Sequence, residues 1–292
     1  MVYNFNSLPK RYRFIPSKAR EKIVFTMLGT SAGLIFLVLL ALVLVVIING
    51  LKGLSFPVLF MNPSPENEWS MRPAIVGTIL LICGALLIAF TLGLGAAIYL
   101  TEFAREGKMV SIINYGINNL AGIPSIVFGA FGYAFFTLAL HMGKSMYAGW
   151  FTLACMLLPT IIRTSQEAIK SVPNEYREGS FALGVTKWRT IRHIVLPAAT
   201  PGIITGVILS LGRAAGETAA IMFVGGSIIP AFLGFDSRFA ALPIQLYLMA
   251  ISAPSSTREI QWAIALVLLL VVFLFNIGAI LMRNRSEKQK GR

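Results

Sequence analysis

Residues 163–201 read RTSQEAIKSVPNEYREGSFALGVTKWRTIRHIVLPAATP, a basic, mostly helical island between two long apolar runs. Pro173 and Asn174 open a short helix, Gly184 stands where its C-terminal cap belongs, Thr186 is placed to cap a second helix, and Pro197 with Pro201 is expected to end it. The segment is therefore a helix, a sharp corner and a second helix. On the second helix Trp188, Ile191, Ile194 and Val195 share one face, while Lys187, Arg189, Thr190 and Arg192 take most of the rest, so an apolar side is available for burial. A solvated loop with snorkelling bases would satisfy the same composition.

Of 292 residues, 56% are hydrophobic and 13% charged, with a mean hydropathy of +0.76. Such a chain belongs to the polytopic membrane class and has little material left for a soluble domain. A net charge of +13 would also suit a nucleic-acid binder. The bases sit between apolar runs, however, so no nucleic-acid partner is expected. Cys83 and Cys155 lie inside apolar segments as small hydrophobes, and His141 and His193 lie in different loops, so neither a disulfide framework nor a metal site is expected.

Met1 to Lys22 carries six Lys or Arg against one Glu and gives way to the uncharged run Phe25 to Ile48. That run is too long for a secretory apolar core and no A-x-A-like site follows it, so it reads as an uncleaved first span. Further spans are expected at Ala74 to Leu100, Ile117 to Leu140, Met146 to Ile162, Gly202 to Gly225 and Trp262 to Met282. The fold class is all-α with six transmembrane helices: a basic arm at 1–24, a membrane domain at 25–282 and a basic tail at 283–292. Six Lys or Arg lie in the arm, two in Thr101 to Gly116, six in Arg163 to Thr200 and five in the tail; Lys52, Arg72, Lys144, Arg238 and Arg258 lie opposite. By the positive-inside rule both termini and the 163–201 segment are cytoplasmic. Of the outer connections, Asn49 to Pro73 reads as an irregular cap, and Gly226 to Gln261 as a stretch that lies on or dips into the bilayer with a short helix at Leu242 to Ala250. Asn118, Asn119, Gly122 and Pro124 favour a bend in the third span, either to line a gate or simply to kink a packing helix.

Arg213 and Glu217 are the only charges inside the six expected spans. Four residues apart on one continuous helix, they would share a face. Near mid-membrane a charge costs about 2.5–3.5 kcal/mol on insertion scales, so Arg213 must face the bundle interior or water. Two readings stay open: the pair neutralises itself and fixes packing, or Glu217 holds an arginine fork that presents itself to an anion. Gly202 with Gly206 and Gly212 with Gly216 form small-xxx-small pairs that allow close helix approach.

Glu178, Gly179 and Ser180, then Gly184 after three residues, then Ile194, Leu196 and Pro197 after nine, resemble the cytoplasmic E-A-A, x3, G, x9, I-x-L-P signature of ABC-importer permeases. Gly179 and Ser180 depart from the two alanines but stay small. GRAAGETAAIMF at Gly212 to Phe223, NNLAGIPSIVFGAFG at Asn118 to Gly132, ALPIQLYLMA at Ala241 to Ala250 and the basic approach at Ser7 to Phe25 resemble the phosphate-importer permeases of the PstA type. That resemblance implies an ABC type I importer bundle in a bacterial inner membrane, working by alternating access. It implies a coupling helix within 163–201 seated in a cleft of the ATP-hydrolysing subunit, with Glu178, Gly179, Ser180, Gly184, Ile194, Leu196 and Pro197 as its motif. Arg213 and Arg163 would contact phosphate or its exit path, with Glu217 the acidic partner; an interfacial arginine ending the fourth span is the plainer reading of Arg163. The implied partners are a second permease of the PstC type, an ATPase dimer of the PstB type, a phosphate-binding protein of the PstS type and the lipid bilayer. The chain itself would hold no cofactor and be no enzyme, ATP and Mg being bound by the ATPase.

Competing readings are a permease for another oxyanion such as molybdate, sulfate or phosphonate, and a secondary anion transporter that needs no ATPase. The latter would need no coupling segment, and no second half repeat is detectable. ALGVTKWRTIRHI read as a helix-turn-helix would leave a DNA-binding regulator little room between spans. Gly143, Lys144 and Ser145 end like a P-loop, but Leu138 replaces its first glycine. Gly93 and Gly95 begin a dinucleotide fingerprint that Ile98 breaks.

Overall fold

The structure is a computed structural model that describes residues 17–64, 69–105, 107–227, 234–252, 254 and 257–290. The basic arm before residue 17 and the last two residues of the tail fall outside them. Two units are distinguished, Met1–Asn49 and Gly50–Arg292. The described part of the first belongs to helix α1 (Ser17–Gly53), which carries no charged side chain from Ile23 to Leu51. Such a helix satisfies all its backbone polar groups internally, as lipid demands.

In the second unit, α2 (Phe56–Phe60) and the turn after it form the expected irregular cap, tied down where Met71 N–H donates to the Val58 carbonyl at 2.7 Å. Helix α3 (Arg72–Ile98) runs on through a π turn at Tyr99–Phe103. Its Ala85, Ala89, Gly93 and Ala97 recur at four-residue intervals, and all are buried. Small residues let helices touch where lipid supplies no hydrophobic drive, and here they admit Leu153, Leu157 and Ile161 of α6 (Met146–Lys170) into a common core with Leu211 and Ala215 of α9 (Leu196–Ala215). The last helix, α12 (Arg258–Lys290), packs Ala263, Ile264 and Val267 against Leu242 and Met249 of α11 (Leu242–Ser252).

Among the described residues five helices are long and apolar enough to cross a membrane: Glu21–Gly53, Arg72–Phe103, Met146–Lys170, Lys187–Ala215 and Arg258–Arg285. The expected third span is instead a pair, α4 (Lys108–Ala121) and α5 (Ser125–Gly132) with its π-helical extension to Ala139, bent by 103°. Pro124 has no N–H to give and pushes Ile123 out of helical geometry, so the bend falls where the sequence placed it. The helix before the break begins at Lys108, not Ile117, and is a separate amphipathic element.

The fifth span departs most from expectation. It ends at Ala215 rather than Gly225, and α10 (Ala219–Val224) follows as a separate short helix. It also begins much earlier, because Pro197 and Pro201 do not stop it: α8 (Lys187–Thr190), a π turn at Ile191–Val195 and α9 run on as one helix. An internal proline costs about 3 kcal/mol or more through a lost hydrogen bond and a clash with the preceding turn. The widened turn ahead of Pro197 makes room for its ring, Thr200 and Thr205 hydroxyls bond the Leu196 and Pro201 carbonyls at 2.8 and 2.9 Å, and Ile191, Val195, Ala199 and Ile203 form an unbroken buried stripe. That packing outweighs the local signal.

The connection after α10 dips into the bundle. Phe239, Ala241 and Leu242 are fully buried, Leu242 N–H donates to Thr78 Oγ1 at 2.9 Å, and the Ser237 carbonyl accepts from Met146 N–H at 3.2 Å. Irregular backbone at this depth survives because protein covers it. The short helix follows at Leu242–Ser252, as expected. A Cβ added at Gly77 would overlap the Ala240 carbonyl. Gly77→Ala should therefore destabilise the detergent-purified protein by about 1–3 kcal/mol, read as a lower thermal unfolding midpoint; an unchanged midpoint would refute this close approach.

Candidate functional site

The segment linking α6 to α9 is built from interlocking local motifs. Pro173 caps α7 (Asn174–Ala182) with extended backbone. At the far end Gly184 adopts φ +75°, and two bonds close a Schellman motif: Gly184 N–H to the Phe181 carbonyl at 2.9 Å and Val185 N–H to the Ser180 carbonyl at 3.2 Å. Only glycine enters this conformation without penalty. Thr186 occupies the next N-cap through its backbone, not its hydroxyl: its carbonyl accepts from Thr190 N–H at 3.0 Å.

The motif residues divide between two faces. Ser180 is buried and its hydroxyl meets Thr190 Oγ1 at 2.8 Å, which pins α7 to α8. Glu178, Gly179 and Gly184 are exposed, and nothing lies within 4 Å of a Cβ built on either glycine. Ile194 and Leu196 are half-buried and Pro197 is exposed. Trp188, expected on the apolar face with Ile191, Ile194 and Val195, is instead 54% exposed, its ring 6.5 Å from that of Phe103. Together with Tyr176, Phe181 and Leu183, the last 83% exposed, it leaves an aromatic and aliphatic surface beside Lys187, Arg189 and Arg192.

Inside the membrane region the expected Arg213–Glu217 pair does not form. Arg177 and Glu102 do form an ion pair, at 2.8 Å. The i, i+4 geometry needs an uninterrupted helix, and the helix stops between the two residues. Glu217 is buried and accepts from Ala220 N–H at 3.1 Å, so its carboxylate caps α10. Arg213, half-buried in the last turn of α9, makes no hydrogen bond or ion pair among the described residues. Its side chain is left with its full set of donors. The Gly202 and Gly206 pair does admit a neighbour, since added Cβ atoms would press on Ala168 and Thr164 of α6, whereas Gly212 and Gly216 have open space around them.

Arg163 does not end the fourth span, which continues to Lys170. It donates to Gln166 Oε1 at 3.4 Å, and the buried Gln166 in turn donates to Asn114 Oδ1 of α4 at 3.0 Å. An opening of about 840 Å³ between α3, α9 and α12 has apolar walls, including Ile82, Leu86, Phe90, Ile203 and Phe275. It offers no cation and suits hydrocarbon, not an anion.

Residues 89–289 match the family model described as "Binding-protein-dependent transport system inner membrane component". The chain belongs to that family. The permease is 33% identical over 276 residues to the phosphate transport system permease protein PstA of Pasteurella multocida, covering 93% of this chain and 97% of that one. It is 36% identical over 218 residues to the phosphate transport system permease protein PstA 1 of Mycobacterium tuberculosis strain H37Rv, 74% of this chain and 70% of that one. An inward-facing structure of the MetNI methionine ABC transporter superposes on it with a TM-score of 0.65, covering 76% of this chain and 99% of that chain at 18% identity, which shows a shared fold. The permease is thus an all-helical ABC-importer membrane subunit.

Four residues that the sequence did not single out tie separate elements of the permease together: Gln166 with Asn114, and Arg177 with Glu102. Arg177 and Glu102 are 75 positions apart, and no spacing rule joins such residues.

Proposed function

We propose that the chain is the transmembrane subunit of an ATP-driven importer of inorganic phosphate, forming one half of the translocation path. The observation that carries the cargo is Arg213: a half-buried arginine in a span, without a carboxylate partner among the described residues. A cation held this way needs a counter-charge, and a tetrahedral oxyanion matches its fork. The permease's similarity to phosphate permeases over nearly its whole length supports the same cargo.

Arg213 offers a transient counter-charge, and Arg163, steadied by Gln166 and Asn114, is a second station nearer the coupling segment. Glu217 acts indirectly by shaping the break after α9. Neither arginine should hold the anion tightly, since a multi-site path conducts only where no site is too deep. The exposed face of α7 and α8 docks a nucleotide-hydrolysing subunit, with Glu178, Gly179 and Gly184 against it and Ile194, Leu196 and Pro197 setting the angle at which the fifth span leaves. Both termini and this segment face the cytoplasm. A second, related permease completes the path, a PstB-like ATPase dimer binds ATP and Mg, and a PstS-like soluble protein delivers phosphate from outside.

Radiolabelled phosphate uptake into vesicles holding this chain and its candidate partners, with and without ATP and with sulfate or molybdate as competitors, tests the reading. Uptake that requires ATP and ignores both competitors is expected. Uptake without any ATPase, or displacement by either oxyanion, would overturn it.

A further inference from the structure

We infer that Glu102 and Arg177 are positioning residues forming a strut that ties the coupling segment to the second span, so that displacement of α7 moves α3. The inference rests on the coupling role proposed above for α7.

One guanidinium joins three elements. Arg177 donates to Glu102 Oε1 from Nη2 at 2.8 Å and from Nε at 3.2 Å, to the Ile169 carbonyl at 2.9 Å and to the Val172 carbonyl at 2.7 Å. Ile169 belongs to the last turn of α6, Val172 to the corner before α7, and Glu102 to the π turn that ends the second span. The two side chains are only 15% and 9% exposed. A charge pair so shielded is little screened by salt, and a rigid fork with four directed bonds fixes distance and angle together.

The same π turn is gripped a second time. Phe103, next to Glu102, lies 6.5 Å from the Trp188 ring and has Lys187 Nζ 5.3 Å from its centroid. A π turn widens the helix and can aim adjacent side chains at different neighbours; here Glu102 goes to α7 and Phe103 to α8. Glu178, Gly179 and Gly184 of the same segment stay exposed. Force applied there therefore has a buried ionic link and an aromatic contact to the same five-residue turn. From that turn α3 runs without a break to Thr78, whose hydroxyl holds the inserted segment at Leu242. At 1.5 Å per residue this rod is about 36 Å long, enough to connect the coupling segment with the other end of the bundle.

The test uses the full complex of both permeases and the ATPase in proteoliposomes, with paired spin labels at Gly95 of α3 and Leu281 of α12, both exposed. The wild-type inter-label distance is expected to change between nucleotide-free and ATP-bound states. Glu102→Gln should abolish that change and lower phosphate uptake roughly tenfold, while ATP hydrolysis falls less than about twofold. Arg177→Lys keeps the charge but loses the fork, and should retain part of the distance change. The swapped pair Glu102→Arg with Arg177→Glu should recover part of the uptake, which a loss of folding would not allow. A wild-type distance insensitive to nucleotide, a Glu102→Gln complex that behaves as wild type, or a swapped pair with no recovery would overturn the strut. A wild-type complex that moves no phosphate would sink the cargo reading instead, and the label distances would still decide the strut.

Discussion

Arg213→Gln is expected to abolish ATP-driven phosphate uptake while the permease still inserts and assembles. Glutamine is nearly as long, and removing the charge relieves about 2.5–3.5 kcal/mol of insertion cost, so the variant should fold no worse than the parent. Among the described residues Arg213 has no carboxylate partner that its loss would strand. What disappears is the charge-assisted bonding to an oxyanion, about 1.5–3 kcal/mol per bond. Two such bonds correspond to roughly a hundredfold or more in rate. Arg213→Lys keeps the charge without the fork and should lie between. Glu217→Gln separates two roles of that residue: glutamine can still accept from Ala220 N–H, so uptake should stay close to normal if the carboxylate only caps α10. A severe loss would restore the ion-pair reading in another state of the transport cycle. Uptake by Arg213→Gln equal to the parent would remove Arg213 from the path.

The second large effect belongs to Gly184. Its φ of +75° costs a non-glycine residue roughly 1–2 kcal/mol, and more with a branched β-carbon. Gly184→Val should stop uptake while the protein still reaches the membrane, because the Schellman turn sets the angle between α7 and α8. Gly184→Asn is the informative companion, since asparagine tolerates this backbone and nothing lies within 4 Å of its Cβ. Normal transport by Gly184→Asn would mean the turn alone matters; failure of both, with the fold intact, would mean a partner packs onto the bare backbone. Uptake by Gly184→Val at the parent level would remove the coupling role. Both variants are read by uptake together with co-purification of the ATPase.

Some of this molecule was open to inspection residue by residue. The apolar runs announced their spans because lipid leaves the backbone no other partner. Gly184 announced its corner and Pro124 its bend because each is a constraint on one residue's own dihedral angles. The helix–corner–helix form of the segment from Glu178 to Pro197 was legible for the same reason, since it lies along a continuous stretch of chain.

What the sequence alone could not decide was whatever depended on a competing neighbour. Pro197 and Pro201 were expected to end a helix, and a buried stripe from Ile191 to Ile203 carried the helix through them. Arg213 and Glu217 were expected to pair, yet the helix breaks at Gly216 and Glu217 turns to cap the next one. Arg163 was expected at a helix end and instead leans on Gln166, itself held by Asn114 from another helix. Glu102 and Arg177 gave no signal at all. Amphipathic spacing and capping are properties of one local segment, which the order of residues records directly. An ion pair between residues 75 positions apart exists only once α3, α6 and α7 have packed, and packing energy summed over many side chains, not any local rule, decided that they meet.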